Sequence, residues 1–367
     1  MVEKVLKGSP KYYAWILCLL AIIGYAFTVY VFQLMNGLQM TGLTRNTSWG
    51  FYIAQFTYLV GVAAAAVMLV LPATFHHYHP YHRVIVFAEF LAIGAVIMCM
   101  LFIVVDMGQP QRVMNVILHP TPNSVMFWDC TVLSGYLFLN AIIGWTSLEH
   151  ESRHVPVPKW VKVLVVVSIF WAFSIHTVTA FLYAGLPGRH YWLSAIMAAR
   201  FLASAFCAGP ALLLLALLLL KRLTGFAPGK DVVKSLSITI AYAMGLNMFF
   251  YVLELFTAYY SGIPGHAHPI NFIFGGHEGL DVWVNGWMWV AVVLAFVSIF
   301  FLAIPKFRHN MKILPWALAM LIIATWIDKG LGLLIGGFAP TPYETYEVYT
   351  PTFWEVSVGL GVFAVGA

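Results

Sequence analysis

Charge is what this sequence has least of. Only 9% of its 367 residues are Asp, Glu, Lys or Arg, while 62% are hydrophobic. That balance excludes a soluble globular domain and is the composition of a polytopic membrane protein. Cysteine is scarce as well: Cys18, Cys99, Cys130 and Cys207 all fall in apolar segments and never form a CxxC. The spacing argues against iron–sulfur clusters, structural zinc and a disulfide framework within this chain. Any metal centre that exchanges electrons with it is expected in a partner. Long polar inserts are missing too, the longest connection being residues 262–280, so no soluble domain interrupts the chain. The apolar run after the N-terminal lysines is too long for a signal-peptide core and has no small-residue cleavage site. The first helix is therefore expected to stay in the protein.

What is present is a series of apolar runs long enough to cross a bilayer, which takes about 20 helical residues. Spans are expected near 12–36, 49–75, 84–108, 126–148, 160–186, 191–220, 232–261, 281–304 and 313–337. A tenth runs from Phe353 to Ala367 and covers about 22 Å, so it is expected to be truncated or partly inserted. The fold class is thus an all-α polytopic membrane protein of about ten transmembrane helices. It is read as one integral membrane domain, residues 1–367, with possible four-helix bundles at 49–186 and 191–337 and flanking helices at 12–36 and 353–367. Of the nineteen Lys and Arg, Arg45, Arg112 and Arg189 fall on the side opposite the N-terminus, and Arg200 and Lys329 fall within spans. The remaining fourteen lie on the N-terminal side, which the positive-inside rule places in the cytoplasm. The net charge of +5 therefore reports topology, and no nucleic-acid partner is implied.

Ionisable residues inside such runs are costly, by about 2.5–3.5 kcal/mol each at a helix centre, so each needs a reason. The hairpin from Val84 to Asn140 concentrates them: Glu89, Asp106, Arg112, His119 and Asp129. Counting rise per residue puts His176 and Arg200 about 15 Å below the outer surface, Asp328 about 13 Å and Glu254 about 10 Å. Buried charges of this kind pair with one another, and Arg200 with Glu254 or Asp328 is the structural reading. The functional reading is a proton-handling site, which needs carboxylates and a histidine that titrates near neutrality. Glu89 and Asp106, seventeen residues apart on one helix, allow either a proton half-channel or two unrelated helix-end contacts. The loop HHYHPYHR (76–83) has no defined metal-ligand spacing and reads as a wet basic loop. The outer loops, rich in Pro, Gly and aromatics (262–280 and 338–351), read as a docking surface for an extracytoplasmic partner or as interfacial anchoring.

The segments TSWGFYIAQFTYLVGVAAAA (47–66), DMGQPQRV (106–113), PTPNSVMFWD (120–129), HTVTAFLYAGLPGRHYW (176–192), ARFLASAFCAGPALLLL (199–215) and YVLELFTAYYSGIP (251–264) together resemble the NrfD/polysulfide-reductase membrane-subunit family. Within it the likeness leans toward complexes of sulfur- and sulfate-metabolising prokaryotes. The resemblance covers residues 45–280 well and the last two helices loosely. It implies a multi-pass subunit of the cytoplasmic membrane, inactive alone, that binds menaquinone or another quinone and carries no obligatory haem. Electrons would pass to or from an extracytoplasmic ferredoxin-like iron–sulfur subunit. Further membrane and cytochrome subunits of the same complex would complete it. Trp128-Asp129, Asp106 to Arg112, His176 and Arg200 match the family pattern. The expected site therefore has Asp129 and His176 as proton acceptors at the quinone, Trp128 beside them, and Asp106 and the charge-balancing Arg200 and Arg112 around them. Glu89, Glu254 and Asp328 form a possible proton route. Two alternatives stand beside this reading: a secondary transporter or ion carrier that uses the same charges, and a haem-b quinol dehydrogenase.

Overall fold

A computed structural model describes residues 8–153, 155–275 and 282–367. Lys4 and Lys7, used above for topology, and the end of the 262–280 loop lie outside the described residues. Nine described helices are long and apolar enough to cross a membrane. In chain order the helices are α1 Pro10–Asn36, α2 Phe51–Phe75, α3 Ile85–Asp106, α4 Val125–Ser152, α5 Lys159–Ala184, α6 Met197–Thr224, α7 Lys230–Tyr260, α8 Pro264–Phe274, α9 Val284–Ala303, α10 Leu314–Phe338 and α11 Phe353–Gly366. α8 and α11 are the two that are too short to count as spans. Short connections make consecutive spans alternate in direction. The face that carries residues 37–50, 107–124, 185–196 and 339–352 is called distal, and the face of the N-terminus proximal.

Composition decides which helices sit inside. α2 is apolar all round, and 83% of its apolar window is buried, against 11% for α1. A helix apolar on every side belongs in a protein interior or in lipid, and these two divide the choices between them. Four helices close a ring, with α2 on α3, α3 on α4, α4 on α5 and α5 back on α2. A second ring runs α6, α7, α9, α10 and back to α6. α1 and α11 pair with each other and lean on α3 from outside the first ring.

The rings meet where α2 packs on α6 and on α10. Two irregularities make that seam. α2 breaks at Ala64, between Phe51–Ala63 and Ala65–Phe75. Gly209 of α6 lies against the break, so close that an added Cβ would come within 2.8 Å of the Ala65 nitrogen and 2.9 Å of the Val62 oxygen. Small residues allow this backbone-to-backbone approach, which suits helices in a solvent of hydrocarbon. On the other side, α10 opens into a π-helix over Trp326–Gly332. There Trp326 Nε1 donates to Gln55 Oε1 of α2 at 2.7 Å, and Gly330 approaches the Ala54 carbonyl.

The distal ends are tied by polar side chains. Glu355, fully buried at the start of α11, accepts from the Gly42 nitrogen at 2.9 Å and from the Tyr349 hydroxyl at 2.5 Å. With Thr352 it forms a reciprocal capping box that satisfies the helix's first amides. Arg189 donates to the carbonyls of Phe338 and Asn46 at 3.1 and 2.9 Å, joining three distal segments. The structure shifts one span start: α6 begins at Met197, where 191 was expected. Residues 185–196 instead form a run of turns that carries Trp192 to full burial, its indole donating to Leu333 O at 2.8 Å. α8 was not anticipated inside its Pro- and Gly-rich loop.

Candidate functional site

In the first ring a polar column runs down one face of α5. Tyr183, Thr179 and His176 are spaced four and three residues apart, which stacks them on the same side of a helix. Thr179 Oγ1 donates to Asp129 Oδ1 of α4 at 2.6 Å, and both residues are buried. Tyr183 shares a hydrogen bond with Thr57 of α2. One turn further in, His176 is fully buried and neither ring nitrogen has a hydrogen-bond partner. Above the column Trp49 meets Tyr183 edge-on at 5.7 Å and lies 5.9 Å from Trp192. A cavity of about 340 Å³, lined by Ser48, Trp49, Arg189 and Phe338, sits over this aromatic lid at the distal face.

The second ring is organised by charge. Arg200 Nη1 pairs with Glu254, while Nη2 reaches both oxygens of Asp328 at 2.7 and 2.9 Å. Its guanidinium lies 4.7 Å over the ring of Tyr251. This planar fork can satisfy two carboxylates at once, which an ammonium cannot do with the same geometry. The π-helical turn presents the next residue toward the seam. Lys329 Nζ donates to Phe201 O at 3.2 Å, sits 4.4 Å over the Phe201 ring, and comes within 3.1 Å of where a Cβ on Gly61 of α2 would be. Beside the cluster, between α7, α8 and residues 190–196, lies a cavity of about 450 Å³ with Glu254 in its lining.

The expected site residues are therefore divided between places. Asp129 and His176 share the first ring. Arg200 balances Glu254 and Asp328, and among the described residues no ion pair links it to Asp129. It also starts shallower than expected, three residues into α6 and so about 5 Å along it. Arg112 is exposed on the distal link between α3 and α4, in a single turn Pro110–Arg112. Trp128 points outward, 48% exposed, its indole donating to Pro122 O at 2.8 Å. Asp106 ends α3 with Oδ1 buried and unpartnered, in electrostatic reach of Glu355. Glu89 is buried near the proximal end of α3, its Oε2 without a partner and facing Gly144 of α4.

The sequence profile of the polysulphide reductase NrfD family matches residues 39–340, which include both rings and every residue of the two polar clusters. The chain belongs to the NrfD family. Similar NrfD-type chains include a putative dimethyl sulfoxide reductase membrane subunit from Halobacterium salinarum, 27% identical over 96% of this chain and 87% of the relative. A selenate reductase subunit from Mesobacillus selenatarsenatis is 24% identical over 75% of this chain and 71% of its own. An Hdr-like menaquinol oxidoreductase integral membrane subunit from Archaeoglobus fulgidus is 23% identical over 99% of this chain and 92% of its own. As an NrfD member this is a multi-pass membrane protein of the oxidoreductase-subunit kind.

Reading residues in sequence missed Lys329, Gln55, Tyr183 and Thr57 as parts of the two clusters. The adjacent Asp328-Lys329 in an apolar run was a usable signal, because an ordinary α-turn aims neighbours about 100° apart and so toward different helices. For Thr57 and Tyr183, hydroxyls on apolar helices, no signal distinguished them from ordinary core residues.

Proposed function

We propose that this chain is the quinone-binding membrane subunit of a redox complex, with the quinone ring addressed by the Asp129, Thr179 and His176 column of the first ring. The observation that carries the proposal is His176, a fully buried imidazole with two unpartnered nitrogens, one helical turn from a buried carboxylate held by a single hydroxyl. Buried polar groups are nearly always hydrogen-bonded, and orphaned ones mark a place where another group belongs. A quinone carbonyl or quinol hydroxyl fits both the donor set and the apolar surroundings. The name of the Archaeoglobus relative, a menaquinol oxidoreductase subunit, supports menaquinone as the ligand class.

A bound quinone supplies two-electron, two-proton chemistry. The chain's own residues handle the protons. Thr179 keeps the Asp129 carboxylate aimed into the ring, so that it can hold one proton at Oδ2 while Oδ1 stays hydrogen-bonded. His176 can take or give the second, because imidazole is the side chain that changes charge near neutral pH. Trp49, Trp192 and Phe338 cover the column and keep bulk water out, which strengthens each electrostatic contact below them. We take the distal face as extracytoplasmic and the N-terminus as cytoplasmic, from the lysine and arginine distribution. A ferredoxin-like iron–sulfur subunit is proposed to dock on the distal face, with further membrane and cytochrome subunits completing the complex, in sulfur or sulfate metabolism. Glu89 is proposed as the proximal end of a proton route, and Glu254 and Asp328 as its distal members.

The test is purification in mild detergent with subunit identification and quinone extraction. It is followed by quinol-dependent electron transfer in Asp129→Asn and His176→Ala. Loss of transfer with assembly intact is expected. Normal turnover in both variants rules out the assignment, and recovery of a lone, quinone-free chain that carries solute flux overturns the redox reading itself.

A further inference from the structure

The 450 Å³ cavity of the second ring is not used by the proposed site and is built unlike a packing defect. Its volume falls within the range of about 300–1,000 Å³ typical of small-molecule sites. Leu253, Ile196 and Ile270 give it apolar walls, and Ser194, Thr257, His190 and His266 place polar groups among them. The His190 and His266 rings lie 6.2 Å apart. Glu254 also lines it. One oxygen of that carboxylate is taken by Arg200, while Oε1 is buried and has no hydrogen-bond partner.

The charge state of this lining selects the ligand. Arg200 is shared by Glu254 and Asp328, and Lys329 follows Asp328 directly, so the four charges sum to zero. A cation entering the cavity would therefore gain little net attraction, and an anion would meet a carboxylate. What the orphaned oxygen wants is a neutral donor, and what the walls want is an apolar ring. We propose that this cavity is a second ligand site, which takes a hydroxylated aromatic ring of the quinol class. One hydroxyl donates to Glu254 Oε1 and the other end of the ring lies among His190, His266 and Ser194. The proposal rests on the quinone reading for the ligand's class only; the site, the ring and the recognising residues are different.

The experiment uses the purified full chain in nanodiscs under reductant, with menadiol, a tail-less naphthoquinol, titrated by equilibrium dialysis. Wild type is expected to bind two menadiol molecules per chain. Thr257→Trp fills the cavity from a position exposed at its edge and should leave one, and Ser194→Leu serves as the independent filling variant should the first fail to fold. Asp129→Asn should also leave one, now in the second ring. In that variant the dimethyl ether of menadiol, which cannot donate, should bind at least tenfold more weakly than menadiol, the size of a lost hydrogen bond to a charged group. A wild-type stoichiometry of one, unchanged by both filling variants but lost in Asp129→Asn, overturns this proposal and leaves the first-ring site standing. No binding at all overturns both. Displacement of menadiol from the second site by phosphatidylethanolamine in the nanodisc assigns the cavity to a lipid amine and overturns the proposal as well.

Discussion

The two rings have the same layout and opposite electrostatics. In the first, buried acids go without cations: Asp129 has a threonine hydroxyl, and Glu89 has an oxygen with no partner. In the second, two carboxylates converge on one guanidinium that is itself stacked on Tyr251. The difference separates holding from handling. An arginine shared by two acids fixes three helices and keeps both carboxylates charged, because neither can lose its charge without leaving the other groups unbalanced. An acid held by one hydroxyl can exist in either protonation state at small structural cost. The first arrangement suits a lock, and the second suits proton chemistry.

That contrast predicts a graded set of outcomes. The largest effect on the folded protein should come from Arg200→Met, which strands two carboxylates inside α7 and α10. Removing one partner of a buried pair destabilises by about 3–5 kcal/mol. Thermal unfolding followed by tryptophan fluorescence in detergent should show a large drop in midpoint, restored in good part when Glu254→Gln and Asp328→Asn are added. If Arg200→Met melts like wild type, the second ring is not an ionic lock. Next, Asp129→Asn should lower quinol-dependent electron transfer about a hundredfold, the usual size of a proton-transfer contribution. Its melting point should move little, since the Thr179 donor keeps an acceptor. A large fall in stability with near-normal turnover would reverse the roles of the two rings.

Smaller effects belong to the seam and to Glu89. Gly61→Ala pushes a methyl to 3.1 Å from Lys329 Nζ, at the end of a flexible side chain. It should cost about 1 kcal/mol or slightly more, as modest overpacking does. The same unfolding assay checks it, and a loss as large as that of Arg200→Met would show that the seam carries more of the stability than the ion pairs. Glu89→Gln should be nearly neutral for stability, because no hydrogen bond to Oε2 is lost. Proton uptake measured alongside electron transfer in reconstituted vesicles then isolates its role. Unchanged proton coupling removes Glu89 from the route.

Much of this contrast is legible in the residues alone. Nine spans follow from hydrophobic runs against a fixed bilayer thickness, and the pairing of Arg200 with Glu254 or Asp328 follows from the expense of unpaired charge in hydrocarbon. Depth is less legible, because it depends on where a helix starts. The turns at 185–196 use apolar residues such as Trp192 that read as helix when only hydropathy is counted. α8 is hidden by its own prolines, although Pro264 right after Ile263 is a normal first-position signal for a helix. Thr352-x-x-Glu355 ahead of an apolar run is a readable capping box that would have marked Glu355 as buried and structural. The π-turn at Trp326–Gly332 leaves no trace in composition, since it exists to fit α10 against α2.

The contact between Gly209 and the break in α2 limits how the protein can work. Two backbones that touch with no side chain between them form a keyed joint: the rings can be pulled apart there, but one cannot rotate or slide past the other without lifting out of the notch. Carriers that alternate access by rocking one bundle against another need a lubricated plane at this position. This chain has a pin in it. On the redox reading proposed above, electrons and protons cross a rigid frame, and the frame itself has no stroke.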